Sequence, residues 1–467
     1  MPDIYGSLLR TVVFPIGDWL RGVPIGREHQ KMMRSQWYSR EQLNALAEQK
    51  LKKLLQHCYD RMPAFRAMLE ECGVIPADVR TVADLAKFPT MDKNFIRRHF
   101  ASKFDPSMST CNRVVARTGG STGEPLSFYL SRTARATDRA SFYRCVEWAG
   151  GARGTTFFTV WGALVIAPPL RRWMRSVKER VITRNVTLDA FTMTPERMDA
   201  FLKTLHQQER ALLRGYTSAL VDLARYAEAT QQTLHNLTGI ITTAEPLHPW
   251  QRQLFERVFG APIFDQYGCS EVGGVAYECS HHTGLHIALE HVIVEILDEH
   301  DQPCQPGVTG RVALTALDNY ATPFVRYING DEAMLLPDPC PCGRGLPLMS
   351  AIQGRTSDMI HGVNGNRTHG EFFSHILHES KWTERLAVRQ FQVVQVDRDL
   401  LRFELAAEKM PDQADIMRVM QRMHDYLGPM RIEFRHVESV DRGQSGKRRF
   451  TLRQWQGAPA ENNDGTF

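Results

Sequence analysis

The sequence predicts an α/β protein: a large N-terminal domain of helix-covered sheets with a β-rich subdomain at about 285–350, followed by a small α+β C-terminal domain. Three observations predict it. Leu43, Leu46, Ala47, Leu51, Leu54, Leu55 and Cys58 recur at helical spacing, which predicts an amphipathic helix over about 41–61 that Pro63 ends. Residues 196–213 and 216–231 also read as helices, and strand-like runs such as Leu237-Thr238-Gly239-Ile240-Ile241 follow, an alternation that suggests parallel sheets covered by helices. Between 285 and 336 the pattern changes to short β runs, Val292-Ile293-Val294-Glu295-Ile296-Leu297 and Gly310-Arg311-Val312-Ala313-Leu314, separated by turns at Asp301-Gln302-Pro303 and Gln305-Pro306-Gly307. That spacing suggests an antiparallel barrel or meander.

The remaining elements follow in order. Leu8 to Val23 is apolar in character but broken by Arg10, Pro15, Gly17, Asp18 and Arg21. It lacks the charged start and cleavage site of a signal peptide and reads as a segment packing on the body, with peripheral membrane contact the lesser reading. From about 388, Val388-Arg389-Gln390-Phe391-Gln392-Val393-Val394 opens the small α+β unit, with one helix over about 411–427. Only the last ten or so residues read as disordered.

Composition fits a large soluble enzyme. The chain has 467 residues, 43% hydrophobic and 23% charged, enough to bury two or more cores. A net charge of +5 is small for this length and argues against nucleic acid as a partner. No apolar run approaches the ~18 residues of a membrane span. Nine cysteines, an odd number, without a secretion signal indicate a reducing compartment, the cytoplasm by default.

The most informative stretch is Arg117-Thr118-Gly119-Gly120-Ser121-Thr122-Gly123-Glu124-Pro125-Leu126, in which six of ten residues are Gly, Ser or Thr. Such a loop can turn N–H groups and hydroxyls inward around a phosphate, although a glycine-serine loop alone is more often a mobile connection. It is not a Walker A loop, since no Lys follows Gly123, and without a kinase catalytic set an unrelated phosphotransferase is disfavoured. Five further segments follow in order: Thr242-Thr243-Ala244-Glu245-Pro246, Phe264-Asp265-Gln266-Tyr267-Gly268-Cys269-Ser270-Glu271, Pro323-Phe324-Val325-Arg326-Tyr327-Ile328-Asn329-Gly330-Asp331, Gly354-Arg355-Thr356-Ser357-Asp358 and Ser445-Gly446-Lys447. Together they resemble the adenylate-forming (acyl-CoA ligase) superfamily, from about residue 40 to about 455. Gly365-Asn366-Arg367-Thr368-His369-Gly370-Glu371 and the terminal Ser-Gly-Lys resemble its phenylacetate–CoA ligase branch, most closely the capsular polysaccharide biosynthesis protein group.

The resemblance implies an ATP- and Mg²⁺-dependent ligase that converts a small carboxylic acid to an acyl adenylate, releases pyrophosphate and passes the acyl group to an acceptor. It implies a domain over 1–353 that binds nucleotide and acid, and a C-terminal lid over 354–467 that carries Lys447 and hinges at Asp358. Thr118, Gly119, Gly120, Ser121, Thr122 and Gly123 would cradle the β- and γ-phosphates, and Glu271 would bind Mg²⁺. Tyr267 would stack on adenine, with Asp265 and the Ala244-Glu245-Pro246 backbone at its edge and Gly268, Cys269 and Ser270 beside it. Asp331 would accept the ribose hydroxyls and Arg355 would reach the ribose–phosphate side. Lys447, Glu271 and Thr122 are the expected catalytic residues.

Departures from the family pattern bear on the acceptor. Tyr327-Ile328-Asn329-Gly330-Asp331 replaces the usual Tyr-Arg-Thr-Gly-Asp, and Ile360 to Arg367 lacks a Phe-Pro step. Transfer to CoA is expected, transfer to an amine is its rival, and a catalytically weakened nucleotide-binding protein in polysaccharide biosynthesis is a third reading. A homodimer is left open. Phe142-Tyr143, Trp148, Phe157-Phe158, Trp161 and Tyr216 suit an apolar or aryl acid, although such aromatics are more often core. Finally, Cys340-Pro341-Cys342 and Cys279, with His281, His282 and His286 nearby, offer the ligands of a closed structural zinc site. The Gly284-Leu285-His286 context resembles that of zinc-bearing relatives and selects His286.

Overall fold

Helix Arg40–Arg61 begins where Ser39 and Gln42 satisfy each other's backbone N–H groups in a capping box, and it buries Leu43, Ala47, Leu51, Leu54, Leu55 and Cys58 as one stripe. Pro63 does not lead into a loop. Met62 is extended, as a residue before proline prefers, and Pro63 opens a second helix, Pro63–Glu71. The structure is a computed structural model that describes residues 3–99, 113–117, 126–162, 181–190, 192–337, 339–355, 360–368, 372–373, 376–377, 380, 382–440 and 450–455.

Strands β1 (Arg113–Arg117) and β2 (Ser127–Ser131) form an antiparallel pair. The main sheet is built from β3 (Phe157–Trp161), β4 (Asn185–Asp189), β5 (Ala211–Tyr216), β6 (Leu237–Thr243), β7 (Ile263–Cys269), β8 (Gly273–Glu278), β9 (Leu285–Ile287) and, later in the chain, Leu348–Met349. The run β4-β3-β5-β6-β7 is parallel, and β8, β9 and Leu348–Met349 complete the sheet antiparallel. Helices Pro195–His206, Thr217–Ala229 and Pro249–Phe259 pack on one face with Phe158, Leu213 and Ile240. Helix Arg132–Trp148 covers the other, over Phe157, Leu212 and Ile241.

One expected helix is corrected here. Residues 196–213 divide into a helix that stops at His206 and the strand β5 that starts at Ala211. Leu212 and Leu213 bury on opposite sheet faces, and a short run buried on both faces has no periodicity to distinguish strand from helix.

The β-rich section is an antiparallel meander of β10 (Val292–Leu297), β11 (Gly310–Ala316) and β12 (Tyr327–Ala333). Leu285–Ile287 belongs to the main sheet instead. The described residues divide into two compact units, the larger holding those up to Ile352 and the smaller those from Gln353 onward. The smaller unit contains the antiparallel strands Gln390–Asp397 and Leu400–Ala406, flanked by parallel partners Thr451–Arg453 and Arg431–His436. Helix Gln413–Leu427, capped by Asp412, belongs to the same unit, whose core includes Val419, Met423, Trp382, Phe403 and Phe373. No helix among the described residues is long and apolar enough to cross a membrane.

Candidate active site and metal centre

The carboxyl ends of parallel strands in an open α/β sheet form a crevice suited to ligands. Here β6 runs out at Thr243 into Ala244, which adopts a left-handed φ of 73°, a conformation that costs a non-glycine residue on the order of 1–3 kcal/mol. The turn is held by Glu245. Its carboxylate accepts from the Ser218 backbone N–H at 2.6 Å and the Ser218 hydroxyl at 3.0 Å, capping helix Thr217–Ala229. Glu245 therefore fixes backbone geometry with its side chain.

On the neighbouring strand β7, Asp265 accepts from the Thr242 hydroxyl at 2.8 Å, and its own N–H donates to Glu278. Glu278 is in turn gripped by Arg252 through two 2.8 Å bonds. Burial, and next the Glu278 charge, push the Asp265 carboxyl up to about 7. Gly268 is required where β7 and β8 meet, since a Cβ there would lie 2.6 Å from the Gly273 carbonyl.

Tyr267 and Glu271 stand four residues apart, as do Tyr327 and Asp331, and the structure exchanges their partners. The Tyr267 hydroxyl donates to Asp331 Oδ2 at 2.8 Å, while the Tyr327 hydroxyl donates to Glu271 Oε1 at 2.9 Å. Asn329 locks the first pair: its Nδ2 donates to the Tyr267 oxygen at 2.6 Å and to Asp331 Oδ2 at 2.7 Å. All four paired groups are buried. Burial, then the neighbouring carboxylate, raises both phenols above their usual range, so each stays a hydrogen donor. Reading the motifs separately leaves Tyr327 without a role and Asn329 only a departure. The equal four-residue spacing in the two segments is the signal that was available. Arg326, ahead of Tyr327, is buried and structural, bonding Glu295 at 3.2 Å and the Phe88 and Asp301 carbonyls.

Cys269 is half-buried and Ser270 exposed on the same turn. Arg355 falls in a two-residue strand, Gly354–Arg355, with its side chain outside the described residues. Thr118, Gly119, Gly120, Ser121, Thr122, Gly123, Asp358 and Lys447 also lie outside them. Among the aromatics, Phe157 and Phe158 are core. Trp148 packs against His286 and donates to Gln36. Trp161 and Tyr216 pair at 4.4 Å at the carboxyl ends of β3 and β5, where Arg214 lies over the Trp161 and Phe142 rings.

A second cluster gathers Cys279, His286, Cys340 and Cys342, with all four ligand atoms within 4.8 Å of one another. Tetrahedral zinc with Zn–S of about 2.3 Å needs sulfurs about 3.8 Å apart, and Cys279 Sγ and Cys340 Sγ are 3.8 Å apart. Cys342 Sγ is 3.3 Å from His286 Nε2. The other ring nitrogen, Nδ1, faces the Leu346 carbonyl at 3.4 Å, which directs Nε2 to the cluster. His281 and His282 are not members; His282 pairs with Glu278 at 3.1 Å. The donor set fits zinc, with no fifth protein ligand or carboxylate in it.

Comparison with known proteins agrees with this architecture. Residues 360–454 match the CapK C-terminal domain. The phenylacetate-coenzyme A ligase of Escherichia coli is 30% identical over 348 residues, covering 69% of this chain and 74% of that protein. Its Thermus thermophilus counterpart is 29% identical over 332 residues, 70% of this chain and 73% of that one. A crystal structure of 2-hydroxyisobutyryl-CoA ligase with 2-HIB-AMP shares the fold at 19% identity, with a TM-score of 0.67 over 86% of this chain and 88% of that one. The chain therefore belongs to the phenylacetate–CoA ligase family of adenylate-forming ligases.

Proposed function

We propose that the protein activates a small carboxylic acid with ATP and Mg²⁺ and transfers the acyl group to CoA. The observation that carries this reading is the exchanged pairing of Tyr267 with Asp331 and Tyr327 with Glu271. It fixes two buried carboxylates, Asp331 for the ribose hydroxyls and Glu271 for the metal. Adenylation joins a carboxylate oxygen to the α-phosphorus and expels pyrophosphate, so positioning and charge stabilisation dominate. Mg²⁺, when bound, neutralises triphosphate charge, and Glu271 offers it a hard oxygen ligand already oriented by Tyr327. Lys447 would meet the α-phosphate and carboxylate oxygens, and Thr118 to Gly123 the β- and γ-phosphates. The acid would lie by Trp161, Tyr216 and Phe142, a wall that suits an aryl or apolar acid. Cys279, His286, Cys340 and Cys342 would hold a structural zinc remote in role from the chemistry.

ATP–pyrophosphate exchange across a panel of acids, arylacetic acids first, tests the first half-reaction. Exchange with one acid class is expected, and ATP binding without exchange for any acid would favour the weakened nucleotide-binding reading. Mass spectrometry with acid, ATP and CoA tests the second half. Thioester is expected. The segment after Asp358, without its Phe-Pro step, favours the amine as second acceptor, and adenylate accumulation without thioester would select it.

A further inference from the structure

We propose that the helical run over residues 4–21 seats the protein on an anionic lipid surface. The run comprises helix Ile4–Leu8, a π-helical turn Leu9–Val13 and helix Phe14–Arg21. Its inward face is anchored. Gly6, Leu9 and Asp18 are buried, and the Asp18 carboxylate takes two bonds from Arg153, at 2.8 and 2.6 Å, and one from the Gly26 N–H. Arg153 also lies 4.7 Å from the centre of the Phe14 ring. At the other end Asp3 pairs with Arg184, and the Tyr5 hydroxyl donates to the Val181 carbonyl at 2.7 Å.

The outward face is apolar. Ile4 is 78% exposed, Trp19 79% and Leu20 70%, with Leu8, Val12 and Ile16 about half exposed. These positions follow an i, i+4 ladder. In α geometry such a ladder drifts about 40° around the helix at each step. The wider π turn in its middle turns less per residue and offsets the drift, keeping the stripe on one side. The result is a row of exposed apolar side chains along one side of the run, the kind of surface that marks a protein or membrane contact. A segment locked in place by a buried ion pair and still showing such a stripe is built to meet something.

Charge selects the occupant. The two acids among residues 3–27, Asp3 and Asp18, are both neutralised by arginines of the body. Arg10 turns toward the body beside Gly154, where its charge acts on the Asp3 and Glu147 carboxyls, whereas Arg21 and Arg27 are exposed and make no ion pair among the described residues. The run therefore offers exposed apolar side chains, an interfacial Trp and the cation Arg21 at its end, with Arg27 following in the next helix, the composition of an in-plane membrane-binding helix. A second copy would bring these same cations together with no free acid of the run to meet them.

Flotation of the full chain with vesicles tests this. Vesicles of phosphatidylcholine with phosphatidylglycerol should carry the protein, at least ~10-fold more than phosphatidylcholine alone, and salt should weaken the binding. The double variant Ile16→Ser, Trp19→Ser should lose at least ~10-fold of that binding. Both side chains are exposed, so its unfolding temperature and pyrophosphate-exchange rate should match wild type, which separates this outcome from failure of the ligase reading. No flotation of wild type, or flotation indifferent to the double variant, would overturn the proposal. So would a wild-type dimer by light scattering that the double variant abolishes while neither binds vesicles, which assigns the stripe to a second copy.

Discussion

At the scale of single residues, the site depends on hydroxyls that no motif role predicts. Tyr327→Phe removes one donor from the buried Glu271 carboxylate. Leaving such a group unsatisfied costs on the order of 1–3 kcal/mol, and here the cost would appear as looser Mg²⁺–ATP geometry. We expect KM for Mg²⁺–ATP in the exchange assay to rise about 10-fold, with KM for the acid unchanged; a lower unfolding temperature with unaltered kinetics would mean the hydroxyl is only structural. A half-buried group sets a pH dependence. His29 is pushed down to about 4, by burial first and then by the Arg153 and Arg144 charges, against the pull of the Glu147 carboxylate 3.3 Å from its Nε2. The unfolded histidine titrates near 6.5, so between these values the unfolded chain holds more protons than the folded one. His29 therefore contributes its full stability above about pH 6.5, and that stability is lost as pH falls toward 4. The loss is on the order of 1–2 kcal/mol, less than the full shift would give because Glu147 lies beside the ring. The difference in unfolding free energy between wild type and His29→Gln should shrink by about that much over this window, and stay flat above pH 7.

At the scale of elements, the metal cluster joins pieces that the chain separates. Cys279 follows β8, His286 sits in β9, and Cys340 and Cys342 come from the loop after β12. A bound dication would tie that loop to the sheet edge and favour deprotonation of Cys279, whose thiol burial otherwise pushes up to about 12. Protein purified without added metal should contain about one zinc per chain, and chelation should lower the unfolding temperature by about 5 °C or more. Metal-free protein of full stability would falsify the site. This cluster was legible only in part: Cys-x-Cys and Cys279 offer thiolates, but they stand 61 residues apart, buried cysteines and a surface His group were the plain alternative, and the resemblance to zinc-bearing relatives selected His286 over His281 and His282. Helix Arg40–Arg61 was legible from its residues alone, since its cap and stripe are written within one segment. The end of the helix at His206 was not, because β5 is buried on both faces and carries no period. Nor was the exchange of tyrosine partners, which spans 64 and 56 residues of chain; each segment alone reads as complete.

At the scale of the whole molecule, the expected catalytic groups are divided along the chain. Glu271 and Asp331 lie in the larger unit with the carboxyl ends of the sheet. Lys447 comes from the Ser445-Gly446-Lys447 segment near the C-terminal end, which the family resemblance assigns to a lid. A lid that rearranges between half-reactions needs its lysine in only one of them, and that asymmetry is measurable. Lys447→Ala should slow acyl-adenylate formation by roughly 10²-fold or more, the scale of losing one donor to transition-state charge. ATP should still bind, because the groups proposed for ribose and Mg²⁺ remain. The second half-reaction is the decisive arm. Supplied with presynthesised acyl adenylate and CoA, the variant should form thioester at close to the wild-type rate, since no charge then builds on an attacked α-phosphorus. If both half-reactions fall together, Lys447 serves the fold or general substrate binding; if neither falls, another cation meets the phosphate and the assignment of Lys447 is wrong.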